Sequence, residues 1–182
     1  RKADRAAQQA KADDRDAQAG LLLHRVGQRF ADSAAFRVVR RRLPTLCRVE
    51  ELHVLDIGIK IASALDLALK HELLHRDIKP GNILFDSDNE PKLVDFGLAR
   101  SVEAEAESTT VTEGTPYYVA PEKIKREKET FLSDMYSLGC TLYHALTGHV
   151  PFEAPTVEEL VAAHVHTPLT PPNLVLPEIT HP

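Results

Sequence analysis

The run His75-Arg76-Asp77-Ile78-Lys79-Pro80-Gly81-Asn82, and Asp95-Phe96-Gly97 shortly after it, place carboxylates, a cation and an amide oxygen within a short span. Asp77 can orient an attacking hydroxyl, Lys79 can neutralise charge on a moving phosphoryl group, and Asn82 with Asp95 offers the oxygen ligands that Mg²⁺ prefers. These are the parts that phosphoryl transfer from a polyphosphate needs. To act together, the two clusters must be brought side by side. The short apolar runs Ile83-Leu84-Phe85 and Pro91-Lys92-Leu93-Val94 flank the turn-rich Asp86-Ser87-Asp88-Asn89-Glu90, which predicts a β-hairpin whose outer ends carry Asn82 and Asp95. The alternating acids of that turn have the spacing of a calcium loop, but Pro91 stands where such a loop needs Gly and Gly97 where it needs Glu. The segment therefore reads as a turn.

The residues HRDIKPGN, followed in order by DFG and by Ala120-Pro121-Glu122, resemble the protein kinase family. Lys79, two places after Asp77, resembles the serine/threonine class, and LLHRDIKPGNILFD with GTPYYVAPE resembles bacterial kinases of the eukaryotic-like type. The resemblance covers roughly residues 51 to 176 and is most specific over 75–122. It implies ATP and Mg²⁺ as cofactors, proteins bearing Ser or Thr as substrates, and transfer of the γ-phosphoryl group to their hydroxyls.

Carried over residue by residue, the resemblance makes Asp77 and Lys79 catalytic, and Asn82 and Asp95 the metal ligands. Leu84 would form an apolar floor beneath the adenine, and His75 and Phe96 part of a packed column; plain core packing accounts for these three equally well. Arg76 would meet a phosphate on the polar segment between Gly97 and Ala120, at Ser108, Thr109, Thr110 or Thr112. Thr115 would bond Asp77 or Lys79 in a substrate-docking loop, where Tyr117 and Tyr118 read as packing residues. Asp134 would support the catalytic-loop backbone, or simply favour the start of its helix. Glu122 would lack its expected partner, an arginine that lies beyond Pro182 in the family pattern.

Before His75 the resemblance fails, since neither a G-x-G-x-x-G run nor a V-A-I-K-like lysine is present. The expectation is a fragment in which residues 1–50 are not recognisable small-lobe sequence. Residues 1–50 hold 12 Lys and Arg against 6 Asp and Glu, whereas residues 51–182 hold 10 against 21. Residues 1–19 lack any large apolar residue and read as solvated or disordered. Residues 21–42 mix apolar residues with arginines and suit a basic amphipathic helix or a poorly folded segment, with no nucleic-acid partner expected. The acidic balance of the remainder suits solubility, or basic substrates.

The 182 residues, 43% hydrophobic and 27% charged, suffice for one domain and fall short of a two-lobed kinase. Cys47 and Cys140, far apart and without zinc spacing, argue against a disulfide scaffold, and Cys140 reads as core. No apolar run is long enough to span a membrane and no signal-peptide pattern is seen, so the expected location is cytoplasmic, with any membrane anchor elsewhere in a longer parent protein.

From Glu51, the residues Val54, Leu55, Gly58, Ile61, Ala62, Leu65, Ala68 and Leu69 mark one face of a long helix. Ser133 is the expected N-cap of a second helix bearing Met135, Leu138, Leu142 and Leu146 and closed by Gly148. Thr156-Val157-Glu158-Glu159 predicts a capping box opening a third helix to about Val165, with His164 and His166 on its surface. The proline-rich residues 167–182 read as a loop.

The expected fold is mainly α (α+β), a protein-kinase-like C-terminal lobe with a small catalytic hairpin. The division is a basic segment at 1–50 and a large lobe at 51–182. Besides a protein kinase, the sequence allows a pseudokinase acting as a binding module, a small-molecule phosphotransferase, or an inactive fragment. The intact Asp77, Asn82 and Asp95 disfavour the pseudokinase, and Lys79 with the Ala120-Pro121-Glu122 segment disfavours the small-molecule enzyme.

Overall fold

The longest apolar-periodic stretch of the sequence forms helix α1, Glu51–Lys70, in a computed structural model that describes residues 41–43, 49–96, 100–101 and 116–179. Its buried residues are Val54, Ile57, Gly58, Ile61, Leu65 and Ala68, at the three- and four-residue steps of one helical face. That face is turned from the expected one, for Ile57 is fully buried while Leu55 is 55% exposed. The helix has a second set of apolar residues, Leu52, Leu55, Ile59 and Leu67, all exposed. Periodicity alone cannot choose between two overlapping stripes; tertiary packing chooses.

The packing partner is a second long helix. The short helix α2, Pro121–Ile124, leads into α3, Phe131–Thr147, which packs against α1. The N-cap of α3 is Thr130, not Ser133. The Thr130 hydroxyl accepts the Leu132 N–H, and Ser133, one turn inside the helix, returns its own hydroxyl to the Thr130 N–H. Both are cap-forming residues, and the helix starts at the earlier one because Phe131 and Leu132 are helical too. Gly148 ends α3 at φ +77°, donating its N–H to the His144 carbonyl.

Ile57, Ile61 and Leu65 of α1 meet Leu138 and Ala145 of α3 in a core completed by Ile78, Ile83 and Phe85. Each buried Leu, Ile or Phe side chain contributes about 1.5–3 kcal/mol relative to exposure. At Gly58 the two helices come so close that an added Cβ would stand 2.9 Å from Leu142 Cδ1.

The strands are short. Arg41–Arg42 (β1), Ile83–Phe85 (β3) and Pro91–Leu93 (β4) form an antiparallel sheet in the order β1-β3-β4, while Leu73–Leu74 (β2) pairs antiparallel with Arg100–Ser101 (β5). The β3–β4 hairpin is the expected one, with Ile83 opposite Leu93 and Phe85 opposite Pro91. Asp86 Oδ1 closes its turn by accepting the N–H groups of Asp88 and Glu90. Upstream of residue 51, β1 adds the third strand, Leu43 and Val49 enter the core, and Val49 N–H bonds the Ala145 carbonyl.

Helix α4, Val157–His166, begins at Thr156, whose hydroxyl accepts the Glu159 N–H. Contrary to the expectation of a surface residue, His164 is buried, with its Nδ1 on the Tyr136 hydroxyl at 2.8 Å and its ring against Phe152. The loop expected after residue 167 contains one short helix, α5, Pro172–Val175, with proline in the first turn, where its missing N–H costs nothing. Cys140 is buried. Among the described residues no helix is long and apolar enough to cross a membrane.

Candidate active site

The catalytic-loop segment leaves β2 through Leu74 and is immediately fixed from a distance. Asp134, in the first turn of α3 and 2% exposed, accepts the His75 N–H on Oδ2 and the Arg76 N–H on Oδ1, both at 2.8 Å. Burial pushes the Asp134 carboxyl above its ordinary value, and the two N–H bonds pull it back toward the ionised form. Arg76 has φ +68°, a left-handed conformation that costs a non-glycine residue about 1 kcal/mol or more and persists where surrounding bonds impose it.

His75 is fully buried, and its ring is fixed on three sides. The Asp77 N–H points at Nδ1 (3.3 Å), so Nδ1 carries no proton; Nε2 therefore carries one and donates to the Val94 carbonyl at 3.1 Å. Burial, the largest influence, holds its pKa below the usual imidazole value. The Phe96 ring meets it edge-on at 4.6 Å. His75 thus ties the catalytic loop to the end of the hairpin.

Asp77 is half-buried and held by one oxygen. Lys79 Nζ donates to Asp77 Oδ2 at 2.7 Å and Asn82 Nδ2 to the same atom at 3.0 Å, while Asn82 Nδ2 also reaches the Asp77 carbonyl at 2.8 Å. With its amide nitrogen so engaged, Asn82 keeps its side-chain Oδ1 as an acceptor. The Val94 N–H bonds the main-chain carbonyl of Asn82 at 2.9 Å, which continues the hairpin ladder with Val94 across from Asn82 and Asp95 one residue beyond. Asp95 is exposed and left-handed, at φ +64°. The structure therefore brings Asp77, Lys79, Asn82 and the Asp95 backbone into one region, flanked by His75, Phe96 and Asp134.

Leu84, the middle residue of β3, lies between the inward Ile83 and Phe85, so by strand alternation it is on the face away from the helical core. It pairs with Arg42 on one side and Lys92 on the other. Arg76 Nε lies 3.6 Å from Glu129 Oε1. Glu122, expected to lack a partner, has one nearer in sequence: its carboxylate accepts the Ser133 hydroxyl. Ser133 thereby serves both the start of α3 and the segment before it. Tyr118 is buried with its hydroxyl on His144, whereas Tyr117 is exposed.

Thr109, Thr110, Thr112 and Thr115, with Ser108, Cys47, Gly97 and residues 1–40, lie outside the described residues. Among the described residues no cluster of three His, Cys, Asp or Glu side chains forms a metal site; the oxygens of Asn82 and Asp95 are of the type that suits Mg²⁺ when phosphate oxygens complete its shell. Sequence reasoning missed Lys123, which bonds the Arg76 carbonyl, and Glu129, which lies beside the Arg76 guanidinium. Charges spaced six apart beside a proline carry no signal of their own.

Compared with known proteins, residues 32–177 match the family described as protein kinase domain. Serine/threonine-protein kinase PknK of Mycobacterium tuberculosis is 46% identical over 108 residues, 59% of this chain and 10% of that protein. Probable serine/threonine-protein kinase PknB of Bifidobacterium longum is 38% identical over 125 residues, 67% of this chain and 18% of the relative. PknD, another M. tuberculosis serine/threonine-protein kinase, is 35% identical over 153 residues, 84% of this chain and 23% of the relative. The chain thus spans less than a quarter of the length of these relatives. Since the family match runs through the hairpin, the Asp134 anchor and most of the remaining sequence, this chain belongs to the protein kinase family.

Proposed function

We propose that this chain is the large lobe of a protein serine/threonine kinase of the bacterial eukaryotic-like type, transferring the γ-phosphoryl of Mg-ATP to a Ser or Thr hydroxyl of a protein substrate. The observation that carries the reading is the state of Asp77, whose Oδ2 is held by both Lys79 and Asn82. Oδ1 would then accept a hydrogen bond from the substrate hydroxyl and orient its oxygen for attack. Lys79, beside it, is placed to neutralise charge on the phosphoryl group as it moves. The relatives' names, all serine/threonine-protein kinases, support the same class.

Asn82 Oδ1 and the Asp95 carboxylate would hold Mg²⁺, which when bound neutralises charge on phosphate oxygens. Leu84 would lie against the adenine ring, and His75 and Phe96 keep the two parts of the site in register. Thr115 would bond Asp77 or Lys79 in the docking loop. A phosphate at Ser108, Thr109, Thr110 or Thr112 would give a second anion to Arg76, whose Nε has no hydrogen-bond partner among the described residues. Replacing all four by Ala would then lower the rate; an unchanged rate would remove them from regulation. Residues 51–182 would form the large lobe, with Arg41–Arg42, Leu43 and Val49 of the basic segment 1–50 joined to its sheet and core, in a cytoplasmic location where ATP is available.

The test is transfer of labelled γ-phosphate from Mg-ATP to the chain and to a generic basic protein, with Asp77→Asn as control. Label in the parent and none in the control supports the kinase. No label in either makes the chain an inactive lobe or binding module, the reading favoured by the lack of a glycine-rich loop and clamp lysine before His75.

A further inference from the structure

Arg76, the residue before Asp77, is held through both of its main-chain polar groups. Its N–H goes to Asp134 on α3, and its carbonyl accepts a hydrogen bond from Lys123 Nζ at 3.2 Å. Lys123 belongs to α2, the short helix that follows the docking loop. Glu129 lies between the two cations, with Oε2 3.9 Å from Lys123 Nζ and Oε1 3.6 Å from Arg76 Nε. The side chains of all three are only 11 to 15% exposed, so solvent screens the cluster less than it would a surface pair.

We propose that Lys123 is a positioning residue for Asp77, setting the peptide that joins Arg76 to the catalytic aspartate and coupling it to the docking-loop helix. The physical reason lies in the left-handed backbone of Arg76. Asp134 fixes the N–H side of that residue, but rotation about ψ is governed by the carbonyl side, and the peptide plane between Arg76 and Asp77 turns with it. The contact from Lys123 restrains that rotation. Glu129 holds the ammonium in place against the nearby Arg76 guanidinium. A displacement of α2 is thereby passed to the main chain of Asp77 through one hydrogen bond, without touching ATP.

The inference rests on the kinase reading for its rate effect but not for its structural effect, and the two are separable. In the full chain, Lys123→Met keeps the aliphatic stem and removes the donor, Lys123→Arg restores a donor, and Glu129→Gln removes the restraining charge. Hydrogen exchange is followed at the Arg76 and Asp77 amides and in α3, alongside phosphate transfer at varied ATP. The expected result for Lys123→Met is exchange about tenfold faster at Arg76 and Asp77 with α3 unchanged. The expected kcat is about tenfold lower at constant KM for ATP, with partial recovery of both in Lys123→Arg. Unchanged exchange at Arg76 and Asp77 overturns the proposal, and so does faster exchange throughout α3, which would make Lys123 a general stabiliser. If the parent chain transfers no phosphate, the kinase reading fails for this chain, while the amide exchange still decides the role of Lys123.

Discussion

Asp134 fixes the backbone of Arg76 from 58 residues away, its Oδ1 accepting the Arg76 N–H at 2.8 Å while Oδ2 accepts that of His75. One carboxylate thus satisfies two consecutive buried amides and sustains the left-handed turn before Asp77. Asp134→Asn conserves size but presents an NH₂ to one of those amides. The expected loss is about 3 kcal/mol, because a buried donor is left unsatisfied and faces another donor. Urea unfolding of the two proteins measures it, and a change below about 1 kcal/mol would show that the anchor is dispensable.

Asp77 is half-buried and bonded by Lys79 and Asn82 on a single oxygen, which suits the role in phosphoryl transfer proposed for it. Asp77→Asn is expected to reduce phosphate transfer by about 10²–10⁴-fold, the usual contribution of a positioned acid–base group, with the unfolding midpoint nearly unchanged. Asn82→Ala frees Oδ2 from one of its two donors and is expected to lower the rate as well. Steady-state rates and urea midpoints of both variants check the separation.

Acid should loosen the fold through two histidines. Burial lowers the pKa of His75 and of His164 from the model-compound value of 6.5, so each is neutral in the folded chain. A depressed folded pKa means the unfolded chain binds the proton first as pH drops, so this stability is present above pH 6.5 and is lost on acidification through the folded values. Urea midpoints are expected to fall as the pH is taken from above 7 to below 6. Replacing His164 with Gln is expected to flatten part of that slope, and a parent profile flat across this range would contradict the assignment.

The α1–α3 contact leaves almost no room at Gly58. Gly58→Ala sets a helix-propensity gain of about 1 kcal/mol against displacement of the Leu142 side chain, whose mobile tip stands 2.9 Å from the new Cβ. The two effects are expected to offset within about 1 kcal/mol. Gly58→Val adds branched bulk and lower propensity, and is expected to destabilise by about 2 kcal/mol. Thermal unfolding of the pair tests the close approach.

Burial pushes the Cys140 thiol up to about 12. At pH 8 it is therefore protonated and covered, and iodoacetamide is expected to label it only after denaturant is added. Mapping the modified peptide by mass spectrometry distinguishes it from Cys47.

The hairpin between Asn82 and Asp95, the two long helices and the residues of the catalytic loop were legible because each depends on near neighbours in the chain. Alternation and turn residues specify β3–β4, Gly148 closes α3, and the ordered HRD, DFG and APE motifs point to phosphoryl transfer without knowledge of any contact. Where the sequence offered two local solutions, it could not choose between them. Ser133 was the expected cap of α3 and Leu55 was expected to face inward from α1, but Thr130 caps α3 and Ile57 is the buried residue. The choice depends on the free energy of burying one face against another helix.

By itself, the amino-acid sequence determined the family and most of the elements, and it named candidate residues for the chemistry, since these follow from residue type and short-range spacing. Tertiary structure alone decided which atoms meet. It sent both Lys79 and Asn82 to Asp77 Oδ2, buried His164 against Tyr136, gave Glu122 the Ser133 hydroxyl, and gathered Lys123 and Glu129 around Arg76. Hydrogen bonds and ion pairs act over a few ångströms, whereas the partners of the catalytic loop lie up to 59 residues away along the chain. Only the packing of α1 against α3, and of both against the catalytic loop, brings them within that range.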